Sequence, residues 1–105
     1  MRYKVPEWWL EWRVYIPMSS ASSVETRRRL FYRSAHRGCK EMDILLGAFA
    51  GNNLHLLRAE KLANYEVIVD LDDETLYSYI VGRVEVPDNI DRELIGLIAD
   101  YARRK

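Results

Sequence analysis

The sequence predicts an all-α fold, a small five-helix bundle in a single domain, on three observations. Apolar residues recur at helical spacing from residue 22 onward. Glycine, proline and Asn/Asp residues punctuate that pattern into five short segments. The chain has 105 residues, the length of one domain. A chain of that size buries about two-thirds of its unfolded surface around one core, with room for a groove but not for a deep cleft between lobes.

The first segment opens at Ser22-Ser23-Val24-Glu25, which fits a capping box, and runs through Arg27–Ser34 with Val24, Phe31 and Ala35 on one face. Gly38 interrupts it. Met42, Leu45, Leu46 and Phe49 then mark the inner stripe of a second helix, and Gly51-Asn52-Asn53 its end. The third, at about 58–70, places Leu62, Tyr65, Ile68 and Val69 inward. Its β-branched stretch 65–71 is the one strand candidate, but a lone strand has nothing to pair with, so helix is the reading. Asp72 and Asp73 are N-cap candidates for a fourth helix carrying Leu76, Tyr79 and Ile80 and stopped by Gly82. Tyr77 and Tyr79 fall on different faces, one for the core and one for solvent. After Pro87, Asp88 or Asn89 caps a fifth helix with Ile90, Leu94, Leu97, Ile98 and Tyr101 inward. Its basic end, Arg103-Arg104-Lys105, suits the helix dipole.

Residues 1–22 read as an aromatic and polar extension ahead of a helical domain at 23–105. Trp8, Trp9 and Trp12 cluster with Tyr3, Tyr15 and Ile16, while Glu7, Glu11 and Pro17 break the apolar run a secretory signal needs. Two readings stand: residues 1–17 are an upstream extension or alternative start before Met18, or they form an arm that packs on the body or on a neighbouring chain.

Several function classes lack support. Cys39 is the only cysteine, which removes intramolecular disulfides, cysteine-rich zinc sites and redox CxxC chemistry, and suits a reducing compartment. His36 and His55 lie too far apart in sequence for a helical metal pair, and neither has a Ser/His/Asp context. No phosphate-cradling glycine loop and no membrane-length apolar run are present. The expectation is therefore a protein that is not an enzyme. Formal net charge is zero, against a dedicated nucleic-acid binder. That zero is divided: residues 1–42 carry nine basic and four acidic side chains, and residues 43–105 carry seven and twelve. A split of this kind marks either a partner surface or two halves that attract each other.

The segment Arg33-Ser34-Ala35-His36-Arg37-Gly38-Cys39-Lys40-Glu41-Met42-Asp43 resembles the RGxxE segment of the succinate dehydrogenase flavinylation factors. The preceding Arg28-Arg29-Leu30-Phe31-Tyr32-Arg33 is similar to that family's first helix. Asp70-Leu71-Asp72-Asp73-Glu74-Thr75-Leu76-Tyr77-Ser78-Tyr79-Ile80 is similar to its acidic lead into an aromatic fourth helix, and Pro87 matches the proline before its last helix. The resemblance covers residues 24–103 and implies a five-helix assembly chaperone. Such a factor binds the flavoprotein subunit of succinate dehydrogenase, with fumarate reductase as a further candidate client, and promotes covalent FAD attachment. The resemblance also implies that the flavin belongs to the partner and that the attacking histidine is the partner's, so neither His36 nor His55 inherits that role.

Read from the residues alone, Arg37 and Glu41 are an i, i+4 pair at a helix start beside a turn glycine, a local ion pair. The resemblance implies a partner-binding surface instead, with Arg37 offering its planar fork to the flavoprotein. Arg33, His36, Arg37, Gly38, Glu41, Asp43, Asp72 and Asp73 are its expected members. No metal and no stably bound cofactor are expected. Neither are nucleic acid and direct membrane insertion; a monomer or weak dimer is. The compartment is the cytoplasm in a bacterium or the mitochondrial matrix in a eukaryote. The alternative is a nucleic-acid-binding or regulatory module on the Arg27–Arg37 helix, where Arg27, Arg28, Arg29 and Arg33 cluster. Those arginines wrap around the helix rather than forming a stripe, which favours a solvated face over phosphate binding.

Overall fold

A computed structural model describes residues 21–103, with side chains from residue 25 through 103. Five α-helices make up the described residues, as expected: α1 (Ala21–Ala35), α2 (Lys40–Asn53), α3 (Ala59–Val69), α4 (Asp73–Ile80) and α5 (Arg92–Arg103), with a short 3-10 turn at Leu54–Leu56. No strand occurs among them, and 65–71 is helix up to Val69. The aromatic cluster at 3–16 lies outside the described residues, and the expected capping box is corrected: α1 already includes Ala21, so Ser22 lies inside the helix and not at its cap.

α1 packs against α2 and α3, and α5 closes the bundle against α2 and α4. Leu30, Phe31, Met42, Leu46, Phe49, Leu62, Tyr65, Ile68, Leu76, Leu94 and Ile98 form the body of the core. Full burial of each aliphatic side chain contributes about 1.5–3 kcal/mol, the main source of stability in helices too short to persist alone. Phe49 sits at the centre. Its ring stacks at 5.8 Å on Tyr65 and meets the edge of Tyr101 at 5.9 Å, joining α2, α3 and α5. α1 and α2 come close where Gly47 faces Ala35; a Cβ at Gly47 would lie 3.3 Å from that of Ala35.

Two expectations about α5 need correction, its cap and its inner face, whereas the end of α2 does not. α2 ends as expected within Gly51-Asn52-Asn53, at Asn53, and tightens into the 3-10 turn that buries Leu54. The cap of α5 is Asp91, not Asp88 or Asn89: its Oδ1 accepts from Leu94 N–H at 3.1 Å. The buried pair Ile90 and Ile95 flanks it at the spacing of a hydrophobic staple. The face of α5 turns accordingly, burying Ile95 and Ala99 and leaving Leu97 exposed. The fourth helix follows its expectation. Asp72 caps it by accepting from Thr75 N–H at 3.1 Å. Gly82, at φ +77°, stops it with Gly82 N–H on Tyr79 O and Arg83 N–H on Ser78 O, a Schellman end. Tyr79 packs on the core and Tyr77 is exposed.

Asp91 also ties α5 to α3. Its Oδ2 accepts from Lys61 Nζ and Asn64 Nδ2, each at 2.8 Å, and Lys61 reaches Glu93 as well. Burial pushes the Asp91 carboxyl up, but the Lys61 ammonium, the Leu94 N–H and the Asn64 amide outweigh it and hold the group below the usual carboxylate range.

Candidate functional site

The arginines that looked like a cluster in sequence are distributed along the packing seams. Arg27 is buried, with its Nε donating to Leu54 O at 3.0 Å and an Nη2 contact to Leu57 O, so it satisfies carbonyls of the 3-10 turn and its exit. Burial lowers its pKa. Arg29 pairs with Glu66 at 3.1 Å, and Arg33 with Asp70. Arg37 pairs with Asp73 at 2.5 Å. Positions 29 and 33 thus meet 66 and 70 rung by rung because α1 and α3 run in the same direction, and Arg37 and Asp73, just beyond those two helices, continue the series. The basic and acidic halves of the chain attract each other along this seam, so self-attraction accounts for part of the charge split. Arginines held this way have no phosphate-facing stripe to offer, which weakens the nucleic-acid alternative.

The lowest rung is different in kind. Arg37 lies in the α1–α2 turn, not on a helix, and its side chain is only 7% exposed. Its Nη1 donates to Val69 O at 2.7 Å, its Nη2 to Leu71 O, and its Nε to Asp73. One planar fork therefore satisfies carbonyls at the end of α3 and fixes the carboxylate at the start of α4, a match of fixed donors to fixed acceptors that lysine cannot reproduce. Its own backbone N–H donates to Asp43 Oδ1 on α2. The local pair with Glu41, read from the residues alone, does not form. Glu41 is exposed, and no hydrogen bond or ion pair joins it to another described residue.

Gly38 follows with φ +98° and open space where a Cβ would stand. This backbone region costs other residues roughly 1–2 kcal/mol. Glycine is therefore required by the turn, and its bare surface is accessible as well. The two readings of the residue, structural turn and close approach for a partner, are compatible. Cys39 beside it is half-buried and free.

The turn borders an open groove of about 430 Å³ lined by Tyr32, Arg33, His36, Arg37, Val69, Asp72 and Asp73. Five of the eight expected site residues meet there: Arg33, His36, Arg37, Asp72 and Asp73. Asp43 stands behind the turn, while Gly38 and Glu41 lie outside the groove lining. Sequence reasoning passed over Tyr32 and Val69. Tyr32 is exposed and stacks on His36 at 4.1 Å, with His36 Nδ1 3.0 Å from Tyr32 O. The four-residue spacing of an aromatic and a histidine on one helix is the signal that would have found it. The groove combines an aromatic wall, a helix start with hydrogen-bonded acids and a paired arginine. Among the described residues no His, Cys, Asp and Glu group of three or more could hold a metal ion.

Comparison with known proteins adds a family. Residues 28–102 match the family described as flavinator of succinate dehydrogenase. The chain belongs to this family. A relative in Dictyostelium discoideum, succinate dehydrogenase assembly factor 2, mitochondrial, is 32% identical over 77 residues, covering 73% of this chain and 55% of the relative. The FAD assembly factor SdhE of Acetobacter pasteurianus is 40% identical over 76 residues, covering 67% and 70%. Succinate dehydrogenase assembly factor 2-A, mitochondrial, of Drosophila erecta is 30% identical over 90 residues, covering 83% and 56%. The chain thus spans about half the length of the two mitochondrial relatives and more of the bacterial one. No solved structure matches the chain. All five helices fall inside or overlap the family's matched span, so the groove and the Gly38 turn are parts of the family domain.

Proposed function

We propose that this chain is an assembly factor that binds the flavoprotein subunit of succinate dehydrogenase and promotes covalent attachment of FAD to it, without being an enzyme itself. The observation that carries this reading is the family match over residues 28–102, which contains the whole turn and groove. The docking face consists of Tyr32, Arg33 and His36 at the end of α1, the Gly38–Glu41 turn, and Asp72 and Asp73 at the start of α4, held on one side by Arg37 and Asp43. Gly38 admits a partner backbone, and the unpaired Glu41 carboxylate accepts from partner donors.

FAD stays on the partner, and so does the histidine that takes it. What this chain contributes is preference for one arrangement of the flavoprotein, because a binding protein shifts a conformational equilibrium only by its differential affinity for the two states. The factor therefore binds immature flavoprotein and leaves on maturation. It works as a monomer or weak dimer, in the cytoplasm of a bacterium or the matrix of a mitochondrion. No helix among the described residues is long and apolar enough to cross a membrane.

Co-expression with the flavoprotein subunit tests the proposal. Covalent flavin fluorescence of the subunit in a denaturing gel should rise with this chain and fall back with Glu41→Ala. Fluorescence that does not depend on this chain would remove the assembly role, and undiminished fluorescence with Glu41→Ala would remove the assigned face.

A further inference from the structure

The docking face is assembled from two stretches of sequence, 32–41 and 70–74, that no backbone connection holds together. We infer that Arg37 is the positioning residue that joins them, acting on the partner through the acidic start of α4 and not by touching the partner itself. The inference rests on the docking role proposed above.

The donors of Arg37 account for this. Its side chain is 7% exposed, and its Nε, Nη1 and Nη2 are all spent inside the chain, on Asp73, Val69 O and Leu71 O. To present a fork to a carboxylate on a partner, Arg37 would have to abandon two carbonyls and a carboxylate in a part-buried position, which costs the hydrogen bonds they now share. Its backbone N–H at the same time holds Asp43 on α2. One residue thus links the α1–α2 turn, the α3 end and the α4 start. The exposed groups it leaves for a partner are Glu41 on one side and Asp72 on the other, neither of which bonds Arg37. The peptide spacing explains why α4 needs such a fix. Only Asp70, Leu71 and Asp72 connect α3 to α4, and α4 is eight residues long, too short to hold its own direction.

The test is a binding cycle with purified flavoprotein subunit, using folded fractions established by circular dichroism. Arg37→Ala should weaken the complex by about tenfold or more. In that background Asp72→Ala should cost nothing further, whereas Glu41→Ala should cost as much as it does in the wild type, because only the α4 side has lost its position. Arg37→Lys should bind as poorly as Arg37→Ala, since an ammonium keeps the charge but not the three-way fork. Amide exchange should quicken at 70–74 and stay unchanged across α2. Should Arg37→Ala not fold, Asp73→Ala removes one bond of the three and carries the same cycle with a smaller loss. Additive effects of Arg37 and Asp72, or recovery of binding by Arg37→Lys, would make Arg37 a direct contact and overturn the inference. Unchanged affinity of folded Arg37→Ala would reduce it to a stabilising residue and overturn it too. Absence of binding by the wild-type chain is a different failure, which overturns the docking role and this role with it.

Discussion

Two glycine turns in this chain share a backbone conformation and differ in everything attached to it. Gly38 at φ +98° and Gly82 at φ +77° are the two positive-φ residues among those described, both with open space around the missing Cβ. At Gly82 the supporting hydrogen bonds are local, from Gly82 and Arg83 back to the last turn of α4. That turn ends a helix and concerns nothing else. At Gly38 the preceding residue reaches across more than thirty positions of sequence to the α3–α4 junction, and backward support comes from Asp43. The lesson is that a left-handed glycine marks a turn, while its neighbours' hydrogen bonds tell whether the turn belongs to one helix or to the assembly of several.

Substitution separates the two turns. Gly38→Arg should have the largest effect, costing the roughly 1–2 kcal/mol of a side chain forced into left-handed backbone and eliminating detectable complex with the flavoprotein. The fold loses stability but remains, as thermal melts followed by circular dichroism and pull-down of the partner would show together. Gly82→Ala should cost about 1 kcal/mol by the same melt and leave the complex intact. Equal loss of binding at both sites would erase the distinction between them.

A smaller effect is expected at the buried Ser34–Tyr65 contact, where Ser34 Oγ bonds Leu30 O at 2.7 Å and meets Tyr65 Oη at 2.7 Å. Burial pushes the Tyr65 phenol up to about 12 despite the serine. Tyr65→Phe should lower stability by about 1 kcal/mol without altering docking, read by denaturant midpoints and the same pull-down.

The acid response belongs to Asp91, far from either glycine. Its folded pKa lies below the unfolded value, so its contribution is fully present above the ordinary carboxylate range, near pH ~4, and is lost as pH falls through the folded value. The wild-type melting temperature should therefore drop in acid more steeply than that of Asp91→Asn, which is already less stable at neutral pH. Parallel curves for the two proteins would show that the Lys61–Asp91 clasp contributes nothing to that slope. Smallest of all, Asp72→Ala should fray the first turn of α4, visible as faster amide exchange at Thr75, while the rest of the helix holds through Leu76 and Ile80.

What the sequence made legible follows from range. Leu62, Tyr65, Ile68 and Val69 are all buried because a helical stripe is a local property of spacing, and the Asp72 cap and Gly82 stop are local too. The cap of α5 was misplaced among three neighbouring Asx residues, although Ile90 and Ile95 bracket Asp91 at staple spacing and would have decided it. Arg37 was legible as important and not as to where its guanidinium points. Its acceptors are two carbonyls and a carboxylate on another helix pair, and no spacing rule within one segment reaches them. The buried Arg27 was hidden for the same reason, since its acceptors are carbonyls of Leu54 and Leu57. Glu41 pairs with Arg37 only when the spacing is read locally, and the fold engages that guanidinium elsewhere.

The rungs at 29–66, 33–70 and 37–73 carry a consequence for how this chain can change length. The step from 29–66 to 33–70 is about one helical turn, so that part of the seam measures distance along two helices at once. One residue inserted between 66 and 70 would rotate everything after it by about 100° and offset every later rung. Insertions should therefore be accepted in the 83–87 link, which is exposed over most of its length, and refused along α3. A lineage of this domain is free to drift in length at the link and is held to a fixed count between Glu66 and Asp70.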